Sequence, residues 1–69
     1  MLHKGSIVQL THDFYPQHGQ MIRRGTSGQV MFKVVLQRDY LVEFEIDHHK
    51  VVTRISEQHL ADAHPNARV

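Results

Sequence analysis

YLVEFEI, residues 40–46, is the run that decides how the chain folds. Tyr40, Val42, Phe44 and Ile46 alternate strictly with Leu41, Glu43 and Glu45. Side chains of an extended strand point to opposite sides in turn, so this pattern predicts a strand with one apolar and one polar face. LQRD (36–39) before it and DHHK (47–50) after it carry turn residues and predict short hairpin connections. The strand should therefore pair on both sides with its neighbours in sequence.

Those neighbours have strand character too. Residues 26–35 predict a strand with Val30, Phe32 and Val34 on one face. VVTRI (51–55) predicts a further strand, and SIVQL (6–10) the first one. Between the first strand and residue 26 runs a long loop, HDFYPQHGQMIRRG (12–25), marked by Asp13, Pro16, Gly19 and Gly25. Met21 and Ile22 are apolar enough to anchor its return leg. SEQHL (56–60) predicts a single 3₁₀ or helical turn, with Ser56 capping an orphan amide through its hydroxyl and Leu60 tucking into the end of the fold. No stretch is amphipathic at helical period. The expected architecture is all-β: an SH3-like small barrel of four to five antiparallel strands with one short 3₁₀ or helical turn near the C-terminus. It occupies residues 1–61 as a single domain, followed by a flexible tail, 62–69. A fifth short strand after the turn, around Ala61 to Ala63, is allowed by the architecture but not visible in the pattern.

Composition bounds the rest. Sixty-nine residues with no cysteine make one small domain without a disulfide framework or a thiolate metal site. A net charge of +1 lacks the basic excess of a dedicated nucleic-acid binder. No apolar run approaches the roughly 20 residues of a membrane span. A cytoplasmic protein is the expectation.

GQMIRRGTSGQV (19–30) invites a phosphate-loop reading. The glycine spacing is wrong for that motif, no lysine follows, and a strand stands where the helix should begin. Gly25 and Gly28 instead predict a positive φ or a bulge at a corner of the sheet. Seven histidines suggest metal, with His12, Asp13 and His18 the best ligand set, but no compact histidine pair on a helix supports it, and no metal or cofactor is expected. Glu43 and Glu45 are not a catalytic carboxylate pair, because their period puts them on the outer face, where Lys33 and Arg54 can pair with them across strands. Met21, Met31 and Leu41 fit either an outward apolar strip for self-association or packing at the barrel end.

Taken together, IVQLTHDFYPQHGQMIRRGTSGQV (7–30), YLVEFEI (40–46) and VVTRISEQHL (51–60) resemble SH3-like barrel accessory proteins. The shared frame is a hydrophobic strand, a loop with Pro and Gly, a G-T/S-x-G-x-V bend, a Y-x-V-x-F strand and a closing turn ending in Leu. Short bacterial proteins of unknown function and the NifZ-type nitrogenase accessory family are the nearest groups. The small barrel subunits of ferredoxin–thioredoxin reductase and photosystem I are more distant. Such relatives mostly dock or scaffold, so the resemblance implies protein binding rather than catalysis.

The functional expectation is a non-enzymatic accessory or adaptor protein that binds a larger protein through DFYPQHG (13–19). Phe14, Tyr15, His18, Arg23 and Arg24 are the candidate partner-binding residues, with Tyr15 the more exposed aromatic. Nucleic-acid binding is the alternative, and near-neutral charge disfavours it. A third reading, an oligomeric enzyme of the plasmid dihydrofolate reductase type, lacks that family's V-Q-I-Y pore strand; the nearest residues here are VTRI (52–55).

Overall fold

Five strands and one 3₁₀ turn follow one another along the chain: β1 (Ile7–Leu10), β2 (Ser27–Val34), β3 (Asp39–Ile46), β4 (His49–Ser56), the turn Glu57–His59, and β5 (Leu60–Asp62). The computed structural model describes residues 2–34 and 37–63. The predicted end of the second strand at Val35, Leu36 of the first hairpin and residues 64–69 of the tail lie outside them. The strands form one antiparallel sheet in the order β4-β3-β2-β1-β5. The all-β expectation holds, with two refinements. A fifth strand does form, pairing Leu60 with Leu10 and Asp62 with Val8, so the tail's first residue belongs to the sheet. And the sheet is open: among the described residues β4 pairs only with β3, and β5 only with β1.

The sheet still hides one face by curling. Val8 and Leu10 of β1, Val30 of β2, Tyr40, Val42 and Phe44 of β3, Ile55 of β4 and Leu60 of β5 meet in a single buried cluster. Five strands can share one core only if the sheet bends over it. Leu2 and Ile22, from outside the strands, complete the cluster. Tyr40 sits at one end of it, 1% exposed. Burial and the neighbouring Glu57 carboxylate hold its phenol above its ordinary pKa.

The turns are tighter than their sequences suggest. Ile46 pairs with His49, so only Asp47 and His48 connect β3 to β4, and both have positive φ (51° and 67°). Two successive positive φ values make the mirror-image turn whose twist matches that of paired strands. His49 and Lys50, expected in this turn, belong to β4. The 3₁₀ turn has no side-chain cap from Ser56; its start is held by the Glu57 amide donating to the Arg38 carbonyl, at 2.7 Å. Gly25 has the expected positive φ of 88°, but Gly28 does not need one. Gly28 is instead a point of close approach: a Cβ there would lie 2.7 Å from Val42 Cγ1 and 2.8 Å from the Phe44 ring.

One strand departs from simple alternation. β2 pairs Val30 with Val42 and then Phe32 with Leu41, so two residues of β2 oppose one of β3. Such a bulge reverses the inside–outside alternation beyond it. Val30 is buried at 1% exposure, whereas Phe32 is turned outward at 55%. Val30 and Phe32 therefore do not share a face. Outside, the Phe32 ring carries the Lys4 ammonium 5.2 Å from its centroid. Phe32→Ser should accordingly change unfolding free energy by no more than about 0.5 kcal/mol. Val30→Ala should cost about 2 kcal/mol in the same urea titration, from lost burial plus the cavity. Equal losses at the two positions would mean that Phe32 packs inside.

Candidate functional site

The long loop between β1 and β2 is a pinned structure. Its first bonds extend the β1–β2 ladder: the Leu10 amide donates to the Thr26 carbonyl, and the Gly25 amide donates to the Leu10 carbonyl at 2.8 Å. Further out, Phe14 and Ile22 exchange both backbone hydrogen bonds, each 2.8 Å, as an isolated antiparallel bridge. Between these two ties, the Arg24 amide donates to Asp13 Oδ1, also at 2.8 Å. Three ties reduce a 16-residue connection, 11–26, to a short free tip. Ile22 anchors this return leg in the core, as its apolar character suggests, while Met21 beside it is 38% exposed.

This geometry separates the candidate residues. Phe14 is half-buried and packs against the core cluster. Tyr15, the next residue, is 73% exposed, the highest exposure of any large hydrophobic side chain described. His18 stands exposed at the tip. Together with Pro16 and Gly19 it faces Ile46, Asp47, His49 and Val51 of the β3–β4 hairpin across a small recess of about 150 Å³. Arg23 lines a wider adjoining cleft of about 600 Å³, opposite Glu45 and Asp47. Gln20, Ile46 and Asp47 border both, so the loop tip and the hairpin end form one continuous surface. Arg24 is exposed, and its backbone serves the Asp13 tie.

The charged pairs differ from those expected. Register puts Arg54 opposite Leu41 and Lys33 opposite Tyr40, so neither faces Glu43 or Glu45. Arg54 instead donates from Nε to Asp39 Oδ2 at 2.8 Å and also to Gln37 Oε1. Glu43 has Lys50 as its cation, 4.0 Å away. Both acids point outward, as their period predicts. The three residues considered as metal ligands have other engagements or positions. His12 accepts or donates through Nδ1 to the Thr11 hydroxyl and meets His59 edge-on, with ring centroids 6.0 Å apart. Asp13 holds the Arg24 amide, and His18 is at the tip. Among the described residues no group of three or more His, Cys, Asp or Glu gathers to hold a metal ion.

What the residue pattern did not reveal is the hairpin's share of this surface. Ile46, Asp47 and His49 lie more than 25 positions from the loop tip in sequence, and only the fold brings them together. Comparison of the chain with protein-family models, with curated proteins and with solved structures returned no match. Among the described residues no helix is long and apolar enough to cross a membrane.

The Asp13 tie is a direct handle on the loop. Asp13→Ala should remove about 1 kcal/mol of local stability. The amide of Arg24 should then exchange with deuterium about five-fold faster, while core amides of β3 keep their protection. Unchanged exchange at Arg24 would show that the carboxylate does not hold the loop.

Proposed function

We propose that this protein is a non-catalytic adaptor that binds a larger protein through its long first loop. The observation that carries this reading is the exposure of Tyr15 at 73% on a loop whose backbone is held on both sides. An aromatic ring standing in water on an ordered support loses little conformational freedom when a partner covers it. Tyrosine and arginine are also the residue types that most often dominate binding energy at protein interfaces. Tyr15 with Pro16 supplies the anchor, His18 and Arg23 border the adjoining recess and cleft, and Arg24 extends the basic rim. Phe14 works from below: its ring on the core and its bridge to Ile22 set the height at which Tyr15 stands.

Glu43 and Glu45 lie on the outer face of β3, Glu45 exposed and Glu43 half-buried beside Lys50. The adaptor interface is tested by comparing proteins that co-purify with the tagged wild type and with a Tyr15→Ala/Arg23→Ala variant. Phe14 is left in place so that the fold is not disturbed. Loss of a central aromatic anchor weakens an interface by about 2 kcal/mol or more, roughly 30-fold. Partners captured by the wild type should therefore be lost from the variant, while its melting temperature stays the same. Full retention of those partners by a folded variant would contradict the proposed surface.

A further inference from the structure

Beyond the loop, the sheet itself ends in an unusual edge. We infer that the open side of β4 is a docking edge for an extended, acidic segment of another protein. β4 is eight residues long and, among the described residues, pairs only with β3. Antiparallel ladders alternate: residues of one parity bond to the neighbouring strand, and the others turn their amides and carbonyls away. The two-residue connection from Ile46 to His49 and the Glu57 amide bonding Arg38 fix which parity is which. His49, Val51, Thr53 and Ile55 face β3. Lys50, Val52 and Arg54 present their backbone groups to the open edge.

Those same three residues carry the outward side chains of β4. Val52 is 54% exposed, between a lysine and an arginine. Phe32 and Leu41, paired directly across β2 and β3, form an apolar row on the same outer face that reaches β4 at Arg54, while Val52 stands opposite Glu43. Edge strands are commonly blunted with charge. Here the charges flank an exposed valine, a pattern suited to reading a partner strand, whose main chain gives affinity and whose alternate side chains give specificity.

Charge selects the occupant. Lys50 and Arg54 are separated by about 13 Å along the strand, the span of i and i+4 in any extended segment. A partner with acidic residues at those positions and an apolar one between them matches the edge. Lys50 can reach one from the edge strand, its side chain being 69% exposed, while its own carboxylates, Glu43 at 4.0 Å and Glu45 directly opposite, lie on the β3 side. Arg54 is already oriented by Asp39. A second copy of β4 fits poorly: laid antiparallel with Val52 on Val52, it sets Lys50 against Arg54 at both ends. Like charges directly opposite destabilise a pairing, and sliding by two residues loses the valine contact.

The test titrates the full, isotope-labelled chain with two capped, threonine-rich peptides. One carries glutamate, valine and glutamate at alternate positions, and the other lysine, valine and lysine. The acidic peptide should shift the amide resonances of Lys50, Val52 and Arg54 and bind at least ten-fold more tightly than the basic one. Lys50→Glu should erase that preference. Val52→Pro, which deletes an edge-facing amide at a position where proline is tolerated, should abolish binding. Equal affinity for the two peptides, shifts confined to other residues, or concentration-dependent association of the protein alone through β4 would each overturn the inference.

Discussion

Phe44 occupies the space that a side chain on residue 28 would need. Its ring carbons lie 2.8 Å from where a Cβ would be, and Val42 Cγ1 lies 2.7 Å from it. Val8, Gly28 and Phe44 stand in one row across β1, β2 and β3, all facing the core. The missing side chain in the middle of that row lets the ring of β3 lie on the backbone of β2. In a chain this small, buried area is scarce, and the close approach allows five short strands to share one apolar cluster without the sheet closing by hydrogen bonds.

The remaining features follow from that arrangement. With β1, β2 and β3 drawn over the core, Ile22 and Leu2 can reach it from the loop and the N-terminal segment. Ile22 fixes the return leg of the loop, and its bridge to Phe14 fixes the outgoing one. Tyr15 is thereby left standing in solvent. The bulge opposite Leu41 sends Phe32 outward, where it stands beside Leu41 on the outer face. Core and surface are two results of one pairing scheme.

Much of this was legible in the residues. Period-two alternation located β3 and its buried side chains, because nothing interrupts it between Tyr40 and Ile46. Pro16, Gly19 and Gly25 marked the long loop, and the apolar character of Ile22 marked its anchor. Other features depend on partners distant in sequence. Gly28 reads as a corner residue until Phe44, sixteen positions on, is placed against it. The bulge after Val30 leaves no local trace, so Phe32 looks like core. Arg54 chooses Asp39 because of register, which side-chain alternation alone does not specify. Leu60–Asp62 is too short for any period to show. In the candidate site, the exposed tyrosine could be read from its loop, whereas the Asp13 tie and the hairpin wall could not.

The packing of Phe44 into the space above Gly28 is tested most directly by a double-mutant cycle. Gly28→Ala, Phe44→Leu and the double variant would be unfolded in urea alongside the wild type. An added methyl in a filled site costs about 1–3 kcal/mol. Much of that cost should disappear once the ring is replaced, giving a coupling of at least about 0.5 kcal/mol between the two positions. Strict additivity, with Gly28→Ala equally costly whether or not the ring is present, would contradict the account.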